Sequence, residues 1–248
     1  MVQENNGLGQ AFERVLLPVL LQDDKGTLKV HFQKQLKESK AQQLEGFFPS
    51  TKSSYGVLTL DTGEASLDAM KATIEWIEAA VNCTIEGQVE PYCYPDNNFG
   101  PDVLYLMWNK LFSDFRSCLV QSKYEKYDHQ ADALRTLVPD WLYYKKRNKP
   151  AERQLNLPDS LTQKWNAVKD KLVSNSRPCH RLLVQCPAEL KWEKVAGQVA
   201  PDGYKPSDTK AKQEKRDWLV AISKNDLELF DDDTASIIRL MKKPKITH

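Results

Sequence analysis

Between Ser66 and Val81 the apolar residues Leu67, Met70, Ile74, Ile77 and Val81 recur at intervals of 3, 4, 3 and 4. That is the period of one face of an α-helix, and the Ser66 hydroxyl is placed to cap the first turn. A helix with a single apolar stripe must bury it against another layer of structure. The sequence supplies both kinds of layer. Leu161, Trp165, Val168 and Leu172 predict a second amphipathic helix, with Lys164, Lys169 and Lys171 on its outer side. Thr27 to Gln33, alternating between Leu28, Val30, Phe32 and Lys29, His31, Gln33, predicts a strand, as does Tyr55 to Leu60.

Asp102 to Gln121 is apolar around most of a helical circumference (Val103, Leu104, Leu106, Met107, Trp108, Leu111, Phe112, Phe115, Leu119), and Pro101 suits a first helical position. It therefore reads as a central core helix. A short helix is expected near Gln130 to Leu137, stopped by Pro139. Beyond Pro178, Arg181 to Cys186 and Leu190 to Val195 read as short strands, and Trp218 to Ile222 with Leu227 to Phe230 as a hairpin. A last helix, Thr234 to Lys243, follows the acidic run Asp231 to Asp233. The expected class is α+β, with a helical middle over about 66–175 and short antiparallel strands near the N-terminus and in the C-terminal third. A single domain over 1–248 is expected; the alternative division is a mixed helical subdomain over 1–137 and a basic α+β subdomain over 138–248.

Charge is segregated along the chain. From Thr51 to Gly100, Lys52 and Lys71 oppose Asp61, Glu64, Asp68, Glu75, Glu78, Glu86, Glu90 and Asp96, a balance of −6. From Trp141 to Arg181, Lys145, Lys146, Arg147, Lys149, Arg153, Lys164, Lys169, Lys171, Arg177 and Arg181 oppose Glu152, Asp159 and Asp170, a balance of +7. The whole-chain charge of +1 conceals both. Such segregation serves either a polyanion or the attraction of two regions of one protein.

The apolar run Val15 to Leu21 is broken by Pro18 and falls short of the roughly 20 residues that span a bilayer. Without a basic leader or a small-residue cleavage pattern it does not read as a secretory signal. Five cysteines (Cys83, Cys93, Cys118, Cys179, Cys186), odd in number and lacking C-x-x-C, suit free thiols in a reducing compartment. The expectation is a soluble intracellular protein with no membrane partner.

No motif of catalysis or cofactor binding stands out. His31, His129, His180 and His248 are scattered, and no phosphate-cradling glycine pattern occurs, so neither a metal nor a cofactor is expected. Cys179, His180, Asp231 and Asp233 are the residues left for an enzyme assembled from distant positions. The order of Phe48-Pro49, a short polar gap, Tyr55-Gly56-Val57-Leu58-Thr59-Leu60 and the helix from Ser66 resembles the phage-type single-stranded-DNA-binding proteins built on an OB-fold. The likeness carries no invariant chemistry and transfers no residue role, and the expected helical middle departs from such a barrel.

The segment Trp141-Leu142-Tyr143-Tyr144-Lys145-Lys146-Arg147-Asn148-Lys149 interleaves rings with cations. Rings stack on unpaired bases and cations neutralise phosphates, which is what a groove for a nucleic-acid strand needs. The candidate contact residues are Trp141, Tyr143, Tyr144, Lys145, Lys146, Arg147, Lys149, Lys164, Lys169, Lys171, Arg177 and Arg181. The leading expectation is a non-enzymatic nucleic-acid-associated subunit of a larger assembly, touching the sugar-phosphate backbone there. Its alternatives are a scaffold that meets protein partners or itself through complementary charged patches, and the enzyme with a dispersed site.

Overall fold

The computed structural model describes residues 57–59, 66–85, 88–90, 92–109, 114–125, 133, 136–137, 142–144, 154–172, 180–187, 219–223, 226, 232 and 235–236. Strands β1 (Val57–Thr59), β2 (Tyr92–Tyr94), β3 (Val103–Asn109), β4 (Asp114–Glu125), β5 (His180–Pro187) and β6 (Leu219–Ser223) form one six-stranded sheet in sequential order. Helix α1 (Leu67–Asn82) lies between β1 and β2 in the chain, and α2 (Asp159–Leu172) between β4 and β5. Helices and one sheet thus build a mixed α and β fold.

The sheet is mixed in direction. β1 is parallel to β2, while β3 is antiparallel to both β2 and β4; β4, β5 and β6 are mutually parallel. Of these six strands, β3 alone runs against the other five. The carboxyl ends of those five strands therefore share one edge of the sheet with the start of β3. In open sheets of this kind ligands bind along the edge where parallel strands end.

Cys93, Leu104, Leu119, Leu183 and Ala221 share one face, on which the stripes of both helices pack: Met70, Ile74, Ile77 and Ala80 from α1, and Leu161, Trp165, Val168 and Leu172 from α2. The other face is buried as well, through Val103, Tyr105, Cys118, Val120, Leu182, Val184, Val220 and Ile222. Ser66 caps α1, its side chain accepting from the Ala69 N–H at 3.1 Å. Among the described residues no helix is long and apolar enough to cross a membrane.

Several expectations need correction. Asp102 to Gln121 is not a helix but the β3–β4 hairpin, closed where Asn109 pairs with Asp114. Strands covered on both faces lose their alternation and read as continuous apolar runs, as a fully buried helix does. Pro101 precedes a strand rather than opening a helix, and the helical middle over 66–175 becomes two helices flanking three strands. The strands of the C-terminal third, expected as antiparallel, pair in parallel: Cys118 with His180, and Arg181 with Leu219. An open sheet in sequential order with two helices on one face is also unlike an OB-fold barrel. The expected strands at Thr27 to Gln33, Leu190 to Val195 and Leu227 to Phe230 lie outside the described residues, as does most of the helix Thr234 to Lys243.

Candidate functional site

Of the candidate contact residues, Trp141, Lys145, Lys146, Arg147, Lys149 and Arg177 lie outside the described residues. Cys179, Asp231 and Asp233 do so too. Two others are placed in the interior rather than on a contact surface. Tyr143 is 1% exposed, and its left-handed backbone (φ 61°) turns the ring inward. There it meets Phe99 edge to face at 5.2 Å and Trp165 at 5.0 Å. Such rings are held by packing and are closed to a base. Arg181 is 3% exposed within β5, on the helix-covered face beside Leu119 and Leu219, and the adjacent His180 is buried on the opposite face. Tyr144 is half-buried and bridges to Leu155.

The lysines of α2 meet the acidic helix. Lys164 Nζ lies 3.0 Å from Glu78 Oε2 and 3.7 Å from Glu75 Oε1, and Lys171 Nζ donates to Asn82 Oδ1 at 3.1 Å. The hydrogen bond to Glu78 is the leading reason that the Lys164 ammonium is held above the usual lysine value. Acidic α1 and basic α2 are therefore neighbours that satisfy some of each other's charge. Lys169 is half-exposed on the same helix.

The polar groups that do converge lie along the carboxyl edge. Tyr94 ends β2 and is followed by Pro95-Asp96-Asn97-Asn98, a turn in which Phe99 N–H donates to Asp96 O at 3.1 Å and Asn98 N–H to Asp96 Oδ1 at 2.9 Å. Asp96 is 1% exposed. Its other carboxylate oxygen accepts from the Tyr143 hydroxyl, and its own N–H donates to Thr73 Oγ1 at 3.1 Å. A buried carboxylate is tolerated only with such a set of donors.

Beside this knot, at the start of β3, stands Asp102. Its N–H donates to Val120 O at 2.9 Å, extending the β3–β4 register by one residue and setting Asp102 opposite Gln121. The Gln121 Nε2 donates to Asp102 Oδ2, and the Thr136 hydroxyl reaches Gln121 Oε1. Gln121 is 1% exposed, whereas Asp102 and Thr136 are half-buried. Two positions further along β4, Lys123 shares a cross-strand row with Gln185 of β5 and Ser223 of β6. At the end of that row Asp226 Oδ2 accepts from the Ser223 N–H at 2.9 Å.

Gly100 joins the two clusters. Its φ of +119° is a conformation that L side chains rarely adopt, and a Cβ there would lie 3.3 Å from Thr136 O and 3.5 Å from Leu142 Cδ2. The segments holding Thr136, Leu142 and Tyr143 are thereby pressed against the loop from Asp96 to Asp102. The basic run Lys145 to Lys149 departs one residue after Tyr144, close in sequence to this edge.

The sequence candidates include neither Asp102 nor Gln121, because the residues between the two carry the pattern of a buried helix. The readable signal is a carboxylate and an amide at the two ends of that apolar run, which a hairpin brings together. Among the described residues no group of three or more His, Cys, Asp or Glu side chains could hold a metal ion. A cation at Asp102 would need amide or substrate oxygens as well. Comparison with protein-family profiles, curated proteins and solved structures gives no match for this chain.

Proposed function

We propose that the chain acts on nucleic acid, with the sugar-phosphate backbone meeting the carboxyl edge of the sheet at Asp102, Gln121 and position 123. The observation that supports this reading is the Asp102–Gln121 contact, a carboxylate and an amide at the strand edge where open sheets bind ligands. A carboxylate repels a phosphate unless a cation lies between them. Carboxylate and amide oxygens are the hard donors that a magnesium ion takes, with its remaining positions filled by water and by phosphate oxygens. In that arrangement the cation polarises the phosphodiester and lowers the pKa of a bound water. The water oxygen attacks phosphorus, its proton passes to solvent, and one P–O ester bond breaks to leave a phosphate monoester and a free hydroxyl.

Lysine at position 123 suits the charge developing on phosphorus. The run Lys145, Lys146, Arg147 and Lys149 keeps the role expected from sequence, that of neutralising neighbouring phosphates, while Tyr143 and Arg181 leave the contact set because they are buried. Lys164 keeps at most a secondary role, since Glu75 and Glu78 hold it.

Fluorescence anisotropy and gel assays of the full chain with single- and double-stranded DNA and RNA, with and without magnesium, test the proposal. Salt-sensitive binding together with magnesium-dependent cleavage that Asp102→Ala abolishes is the expected result. Binding without cleavage returns the protein to the non-enzymatic contact, and neither binding nor cleavage on any of these substrates removes both readings.

A further inference from the structure

We propose that Thr136 is a positioning residue whose hydroxyl lets the Gln121 amide turn over when a divalent cation is captured at Asp102; this rests on the cation-assisted reading of the edge given above. The Thr136 Oγ1 lies within hydrogen-bond reach of two acceptors, Ala133 O at 2.7 Å and Gln121 Oε1. A hydroxyl has one proton and two lone pairs, so it cannot donate fully to both. The Gln121 Nε2 meanwhile donates to Asp102 Oδ2. The amide therefore serves the bare carboxylate well, at the expense of an over-subscribed hydroxyl.

Turning the amide about its last bond reverses the balance. Gln121 Oε1 then faces Asp102, and Nε2 faces Thr136. The hydroxyl donates wholly to Ala133 O and accepts from Nε2, so every group around Thr136 is satisfied. Without a cation this orientation sets a carbonyl oxygen against a carboxylate, which is repulsive. With a magnesium ion on Asp102 the same carbonyl oxygen becomes a ligand, while an Nε2–H directed at the ion would be repelled. Cation capture and amide turnover are thus coupled, and the coupling needs a group at position 136 that both donates and accepts. Gln121 is 1% exposed, so water does not readily substitute.

Magnesium titrations of the full chain by calorimetry, comparing wild type with Thr136→Ser, Thr136→Val and Asp102→Asn, test this. Serine keeps the amphoteric hydroxyl and should bind as wild type does. Valine removes the acceptor for Nε2 and should bind magnesium about tenfold more weakly, the loss of one buried hydrogen bond in the bound state. Circular dichroism melting shows whether the valine variant is folded. A second readout does not depend on that variant: in wild-type protein labelled with 15N-glutamine, magnesium should shift the Gln121 side-chain amide resonances, and in Asp102→Asn it should not. Valine binding as tightly as serine, or Gln121 resonances that stay fixed while magnesium binds through Asp102, overturns the role of Thr136 and leaves the site reading standing. Absence of magnesium binding to wild type, or undiminished binding to Asp102→Asn, overturns the site reading and the inference with it.

Discussion

The phenol of Tyr143 donates its proton to the buried carboxylate of Asp96, which lies 47 positions earlier in the chain. This contact ties the turn after β2 to the segment that leads into the basic run. It also explains why a ring in a stretch of cations is sealed in the core. Thr73 of α1 enters the same network from below through the Asp96 N–H, so one carboxylate fastens helix, turn and segment together.

Tyr143→Phe keeps the ring packing against Phe99 and Trp165 and removes only the hydroxyl. Asp96 then loses a donor in a buried site, and stability should fall by about 1 to 3 kcal/mol. Urea denaturation followed by tryptophan fluorescence measures this as a lower midpoint at unchanged slope. If Tyr143 were instead a stacking platform, the same variant would keep its stability, and Tyr143→Ala would weaken single-strand binding while leaving the fold intact.

The network also sets the behaviour in alkali. Burial first, and then the charges of Asp96 and Glu90, push the Cys93 thiol up from 9.0 to about 12. Burial, followed by the Asp96 charge, raises Tyr143 well above its ordinary 10.0. In both cases the unfolded chain releases its proton at a lower pH than the folded one, so stability is fully present below pH 9 and falls as pH rises from 9 to about 12. Urea midpoints measured across that range should decline in wild type. Cys93→Ala should flatten the early decline and Tyr143→Phe the decline above 10, beyond what either costs at neutral pH. A midpoint that stays level in wild type through this range would contradict the buried, protonated state of both groups.

Both helices are legible in the sequence almost to the residue, because each is covered on one side only and keeps its period. Leu161, Trp165, Val168 and Leu172 are the buried residues of α2, and Ser66 is the cap of α1. The middle strands are not legible. Val103, Leu104 and Tyr105 are all buried in succession, as are Cys118, Leu119, Val120 and Gln121, and a run without alternation carries no sign of its pleat. Missing the hairpin means missing Asp102 and Gln121, since the two become neighbours only when it folds. The cations mislead for a different reason. Their net charge is plain in the sequence, but the position of Lys164 beside Glu75 and Glu78 depends on how α2 packs on α1, which no local pattern encodes.

That helix pairing gives a prediction of its own. Lys164→Glu sets a third carboxylate beside Glu75 and Glu78 and should lower stability by roughly 1 kcal/mol at low salt, because each partly exposed pair is worth no more than that. Exchanging the partners as well, with Glu75→Lys and Glu78→Lys, should restore most of the loss, and both effects should shrink as salt is raised. Thermal melts of the single, double and triple variants at two salt concentrations measure the coupling. An effect of Lys164→Glu that is independent of salt and not rescued by the exchange would mean that the lysine acts through packing of its aliphatic stem.

Gly100 provides a test of how far the edge depends on close approach of its segments. Alanine at this position meets two separate penalties: a φ of +119° that its side chain disfavours, and a Cβ placed 3.3 Å from the backbone oxygen of Thr136. The first costs about 1 to 3 kcal/mol. The second can be relieved only by moving the Thr136 segment away from the loop, because a carbonyl has no rotamer to change. That movement would draw the Thr136 hydroxyl from Gln121 and loosen the amide's hold on Asp102. Gly100→Ala should therefore lower the urea midpoint and, in protein that remains folded, reproduce the weakened magnesium binding expected of Thr136→Val. A destabilised but folded Gly100→Ala that binds magnesium as wild type does would show that the Asp102–Gln121 pair is positioned by the hairpin alone.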